Sequence, residues 1–167
     1  IAGNQIHEEL HKSGTLVNVN LTVPEAIAAA GTKTRFIAEW KSLVYMINLA
    51  NTLYDELNAN VKEWYDRPPP RCGSDLFVAL ITENRTVLIV FQENMDTVTL
   101  IDSHQHTPHG ALIAQVPSSH LKELCQWYSG MLRRLYGLNP DCYELSFLYF
   151  KCFNSGEMIQ TSNLASN

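Results

Sequence analysis

The residues best suited to chemistry lie in one short stretch. Asp102-Ser103-His104-Gln105-His106-Thr107-Pro108-His109-Gly110 holds three of the chain's six histidines within six positions. It follows directly on the apolar and β-branched run Val98-Thr99-Leu100-Ile101, and a loop leaving a strand end is where a scaffold commonly presents reactive groups. Asp102 and His104 are two apart, so an extended backbone puts both on one side. A carboxylate beside an imidazole holds the ring in one tautomer and stabilises its cation, which is the orienter-and-base half of a nucleophilic triad. Two other readings stand beside this one. Asp102, His104, His106 and His109 are potential metal ligands, although Pro108 restrains the loop that would have to wrap the ion. The segment also reads as a surface loop whose histidines have no special role. The residues alone leave all three open.

A second pattern is His7-Glu8-Glu9-Leu10-His11, a literal HExxH. On a helix the two histidines stand one turn apart and can share a zinc ion, with Glu8 as base. The longer form of the motif needs a third histidine where this chain has Val17. Only six residues precede the motif, and an exposed amphipathic turn is the plainer reading. Thiol chemistry has little support. Cys72, Cys125, Cys142 and Cys152 show no CxxC spacing, and free thiols in a reducing compartment are expected, two disulfides being the alternative. Cys72 follows three prolines, without the helix N-terminus or neighbouring histidine that lowers a thiol pKa. Cys125 lies on an apolar helical stripe and is expected to be inert. Asn20-Leu-Thr and Asn84-Arg-Thr match the glycosylation pattern, which matters only in a secreted chain. No cofactor is expected.

The elements that must position these groups are legible in outline. A short helix is expected over 4–12, an extended stretch over 16–23, and a second short helix from Pro24 to Ala30. Phe36, Trp40, Leu43, Ile47, Ala50, Tyr54 and Leu57 recur at steps of four and three, which predicts one long helix capped by Thr34. Its pattern runs on to Trp64, and Pro68-Pro69-Pro70 ends it. The period then changes. Leu76–Ile81 and Val87–Phe91 read as strands joined by a turn at Glu83-Asn84-Arg85. Thr97–Ile101 and Ala111–Val116 are two more. A helix from Pro117 carries Leu121, Leu124, Tyr128, Met131 and Leu135 on one face, and Tyr143–Phe150 is a closing strand. Met95 and Met131 are assigned to the core. Helices come first and strands after, which is α+β arithmetic.

Composition sets the limits. The chain has 167 residues, a hydrophobic fraction of 46% and a net charge of −5. That length suits one domain, drawn here as 1–153 with a polar, flexible tail over 154–167. No basic patch speaks for nucleic acid, and a cationic partner surface would suit the charge. No apolar run reaches the roughly 18 residues of a membrane span. No signal peptide is visible, and an intracellular location, cytoplasmic or nuclear, is expected.

The order of these elements carries a resemblance. A strand, the Asp102-x-His104 segment, the strand Gly110-Ala111-Leu112-Ile113-Ala114, a helix and a closing apolar strand are similar to the C-terminal half of the herpesvirus large-tegument-protein deubiquitinases. Trp40 to Tyr54 resembles the helix that follows the nucleophile helix there. The resemblance spans residues 1–152 as a pattern, and only the Asp-x-His segment with its flanks is specific. It implies a papain-like cysteine protease fold, with N-terminal helices packed on a mainly antiparallel sheet. It also implies a triad of His104, Asp102 and a cysteine early in the chain. In the family that cysteine ends a stretch resembling Ala-Gly-x-Gln-Cys. Here the matching stretch is Ala2-Gly3-Asn4-Gln5-Ile6, so Ile6 stands at the nucleophile's position with Gln5 beside it. The family's oxyanion glutamine lies further upstream than this chain reaches. Isoleucine cannot attack a carbonyl. The implied function is a catalytically inactive deubiquitinase-like domain that binds ubiquitin, a ubiquitin-like protein or another protein. The alternatives are an active deubiquitinase whose cysteine was replaced at position 6, and a zinc hydrolase using His7 and His11.

Overall fold

The computed structural model describes residues 22–106 and 110–152, together with Lys12 and Gly14. The helix expected over 4–12 apart from Lys12, the extended stretch expected from 16 as far as 21, the glutamine and isoleucine at 5 and 6, the HExxH histidines His7 and His11, His109 and the tail over 154–167 lie outside the described residues.

A six-stranded sheet organises the rest, in the order β1-β6-β2-β3-β4-β5 with every neighbouring pair antiparallel. In chain order the elements are α1 (Val23–Ala29), β1 (Ile37–Tyr45), α2 (Leu49–Asp66), β2 (Leu76–Thr82), β3 (Arg85–Gln92), β4 (Thr97–His106), β5 (Gly110–Pro117), α3 (Leu121–Tyr136) and β6 (Tyr143–Phe150). Val23, expected to end an extended stretch, instead opens α1, where the Thr22 side chain and Glu25 form a reciprocal capping box. The two long helices pack on one face of the sheet. Leu49, Leu53, Leu57 and Trp64 of α2 and Leu121, Leu124, Tyr128 and Leu132 of α3 are buried against Leu76, Val78, Leu80, Ile89, Leu100, Leu145 and Phe147 of the strands. This is the α+β arrangement expected.

The long helix expected from residue 36 onward is two elements, and the reason is a β-bulge. In the β1–β6 pairing Glu39 faces Leu148 and Lys41 faces Phe147, so Trp40 is the extra residue. A bulge puts two consecutive side chains on the same side. Trp40 therefore joins Leu43 and Tyr45 against the core, three and two residues apart. That odd spacing imitates a helical stripe across a strand. Trp40 meets Trp64 and Phe147 edge-on at 5.3 and 5.9 Å between ring centroids, and Lys41 reaches Glu63 of α2 at 2.8 Å. The helix proper begins only at Leu49, whose N–H donates to Pro140 O. Thr34 caps nothing there. Its hydroxyl donates to the carbonyls of Ile27 and Gly31, closing off α1 instead.

Two further expectations change. Met95 is 59% exposed and Leu135 is 51% exposed, so neither is core. Met95 sits in a tight turn between β3 and β4, and Leu135 in the last turn of α3, off the face that Leu132 and Tyr136 turn to the core. Cys72 and Cys152 are joined in a disulfide, with Cα atoms 5.0 Å apart, where free thiols were expected. The pairing follows from β6. Phe150 O accepts from Cys72 N–H at 2.7 Å, which brings the segment after α2 alongside the strand's end. Cys125 and Cys142 are free.

The disulfide closes a separation of 80 residues. Replacing both Cys72 and Cys152 with serine is expected to lower unfolding stability by about 2–4 kcal/mol, chiefly by freeing the unfolded chain. Chemical denaturation of oxidised protein, reduced protein and the double variant checks it. Equal midpoints for all three would show that the bond carries no such constraint.

Candidate functional site

The strand β4 continues where a loop was expected. Val98 and Leu100 point into the core, and the same row of alternate residues goes on through Asp102, His104 and His106. Asp102 pairs with Leu112 and His106 with Gly110, with a register shift between them. Three residues of β4 thus stand opposite the single Ala111 of β5. Across this irregularity the Asp102 carboxylate stays buried while the His104 imidazole is part-exposed. Asp102 is wholly buried, and the His104 side chain is 32% exposed. Gly110 resumes the pairing at φ +78°, and among the described residues nothing stands within 4 Å of a Cβ built on it. A left-handed backbone is what glycine supplies there without steric cost.

One carboxylate oxygen organises the pair. Asp102 Oδ1 accepts from the His104 backbone N–H at 2.9 Å and from His104 Nδ1 at 2.6 Å. The first contact is an Asx-turn, in which aspartate bonds the backbone two residues on. The second fixes the ring. An ionised carboxylate has no hydrogen to give, so Nδ1 carries the proton, and Nε2 of the neutral ring keeps its lone pair. An imidazole held this way can take a proton at Nε2 and hand it on. The Asp-x-His spacing thus does locally what the sequence suggested.

Sequence reasoning missed the back of the site. His106 is also buried, and its Nε2 lies 3.1 Å from Asp102 Oδ2. The contact has ion-pair range but lies off the hydrogen-bond axis, and neither atom has an aligned partner. On the other side of the ring, His106 Nδ1 meets the Tyr136 hydroxyl at 2.6 Å. The Arg85 guanidinium lies over the Tyr136 ring at 3.8 Å. Arg85 is delivered there by the two-residue turn at Glu83 and Asn84, both with positive φ, a type I′ hairpin. Burial raises the Tyr128 hydroxyl well above its usual pKa, and the nearby Asp102 charge pushes the same way. The signal for Tyr136 lay in the last turn of α3, but only the tertiary crossing of α3 over β4 brings it to His106.

No group of three or more metal-ligating side chains forms among the described residues. Asp102, His104 and His106 are instead engaged with one another, and His109 lies outside the described residues. Cys125 is buried, and its thiol is pushed up to about 12 by that burial, which agrees with the inert reading. Cys142 is exposed.

No family model matches the chain, and no curated protein matches its sequence. Solved structures do match. The ubiquitin-specific protease encoded by a murine cytomegalovirus tegument protein, solved in complex with a ubiquitin-based suicide substrate, aligns with a TM-score of 0.52 at 10% identity. That alignment covers 95% of this chain and 68% of the other. The Pseudomonas avirulence protein AvrPphB aligns with a TM-score of 0.48 at 11% identity, over 87% of this chain and 69% of the other. The α+β fold is that of the papain-like cysteine proteases.

At pH 8 a thiol with a pKa about 12 is ionised to roughly one part in ten thousand, and the thiolate is the reactive form. Iodoacetamide should therefore modify Cys142 and spare Cys125 in the folded, oxidised protein. Peptide mapping reads this directly. Equal labelling of the two would contradict the burial of Cys125.

Proposed function

We propose that this chain is a cysteine-protease-like domain without thiol catalysis at position 6, which binds ubiquitin or a ubiquitin-like protein over the surface around His104. The observation that carries the proposal is the order of the Asp102–His104 pair on this fold. Its Nδ1 is committed to a buried carboxylate and its ring is part-exposed, as a proton-shuttling histidine must be. The solved relative in complex with a ubiquitin-based suicide substrate suggests the partner. Ile6 is the residue that the resemblance puts where the attacking sulfur would be, and an aliphatic side chain cannot form the acyl intermediate.

The same pair supports a second reading, an active deubiquitinase in which cysteine belongs at position 6. There a thiolate attacks the carbonyl of the ubiquitin C-terminal glycine, His104 carries the proton through Nε2, and Asp102 stabilises the imidazolium.

Two measurements test the proposal. Titrating ubiquitin into the 15N-labelled chain is expected to shift amides around His104 and along β5. Absence of any shift up to about 1 mM ubiquitin, the limit of even weak specific binding, would remove ubiquitin as the partner. An electrophilic probe on the ubiquitin C-terminus is expected to leave the chain unmodified. An adduct on Cys142 or Cys125 would overturn the inactive reading, and an adduct gained by Ile6→Cys would favour the second.

A further inference from the structure

We infer that His106 and Tyr136 are positioning residues for the Asp102–His104 pair, so that the functional unit is a four-membered chain, Tyr136–His106–Asp102–His104. The inference rests on reading Asp102 and His104 as a protease-type pair.

The case begins with the two oxygens of Asp102. Oδ1 already accepts twice, from the backbone and the ring of His104. A carboxylate held by one oxygen alone can still rotate about its Cβ–Cγ bond, since that torsion is broad. Rotation would break the Nδ1 contact and free the His104 ring. What limits it is the group facing Oδ2, and that group is His106 Nε2 at 3.1 Å. His106 can serve only if its Nε2 bears a hydrogen. The anion that Nε2 faces favours that form, since a lone pair there would meet the buried carboxylate head on. The Tyr136 hydroxyl, 2.6 Å from Nδ1 and 3.3 Å from Gln105 O, suits it by giving its hydrogen to Nδ1. The neutral ring then carries its own hydrogen on Nε2, facing the carboxylate. The off-axis angle of that contact weakens it as a hydrogen bond but leaves its sign, because a polar N–H beside a fully buried anion is attractive.

Tyr136 is held in turn. Arg85 stacks on its ring at 3.8 Å, which orders the phenol and puts a fixed positive charge on the side of the chain away from His104. Among the described residues, the charged and titratable groups around Asp102 are thus His104 and His106 on its own strand, Arg85 from β3, and Tyr128 and Tyr136 from α3. None of them is an acid competing for the same donors. The Tyr136–His106 end is buried and the His104 end is part-exposed, so the order runs from the interior toward the surface. The chain is complete within the described residues and does not call on position 6.

The test reads the His104 ring itself. Ring-nitrogen correlation spectra of the 15N-labelled full chain, at a pH where His104 is neutral, report which nitrogen bears the hydrogen. The expected result is the Nδ1–H tautomer. His106→Leu and Tyr136→Phe should both shift the His104 nitrogens toward the exchanging mixture of tautomers seen for a free imidazole. His106→Gln, which keeps an N–H near the place of Nε2, should restore the Nδ1–H form. Unchanged core amide shifts, at Leu57 and Phe147 for example, establish that each variant is folded. If His106→Leu fails to fold, the comparison of Tyr136→Phe with His106→Gln decides alone. An Nδ1–H signature unaltered in a folded Tyr136→Phe, or a His106→Gln no better ordered than Tyr136→Phe, overturns the inference. The measurement needs no ubiquitin. Loss of ubiquitin binding would therefore sink the proposed function and leave this result standing.

Discussion

A carboxylate with no solvent exposure is the constraint around which this site is built. Removing an ion from water costs several kcal/mol unless donors replace the water. For Asp102 two donors come from His104, and the His106 ring stands 3.1 Å from the second oxygen. The elements that supply and back them are far apart in the chain. Arg85 opens β3, the two histidines end β4, and Tyr136 ends α3. Burying Asp102 therefore forces a hairpin, a strand and a helix end to meet at one point. The apolar row of Val98 and Leu100 buries the start of β4, and the polar row that continues it is partnered at Asp102 Oδ1 and His106 Nδ1 but not in aligned fashion between Oδ2 and Nε2.

The register shift in β4 converts this burial into a usable histidine. A regular ladder would have kept His104 in step with β5. The surplus residues between Asp102 and His106 let the backbone N–H of His104 turn back onto the aspartate, and the ring follows. The same oxygen then holds main chain and side chain. Orientation at His104 is a local property of three residues, stabilised from behind by groups thirty positions away.

Much of this was legible in the sequence, for identifiable reasons. The β2–β3 hairpin announces itself because two short β-branched runs flank Glu83 and Asn84, and the Asp-x-His pair because side chains two apart share a face of extended backbone. Where reading failed, non-local physics decided. Trp40, Leu43 and Ile47 have helical spacing, yet β6 pairs with Ile37–Tyr45, and the bulge at Trp40 lets a strand carry that spacing. Cys72 and Cys152 carry no sign of each other until β6 closes the sheet beside the segment after α2. His106 was grouped with potential metal ligands because sequence shows residue type and spacing. It does not show that Tyr136 caps one ring nitrogen and Asp102 faces the other.

The self-sufficiency of this network bears on what an ordered pair can mean. Stability alone is reason enough to keep it. Truncating His104 would strip the ring donor from a buried anion, and truncating Asp102 would leave two imidazoles facing a hole, each a costly change whether or not a reaction is performed. Burial alone is enough to keep this aspartate and histidine aligned. Geometry at Asp102 and His104 is therefore evidence of an oriented imidazole. Activity has to be argued from the group that would attack, because the described hydrogen bonds and ion pairs of Asp102 run to His104 and His106 alone.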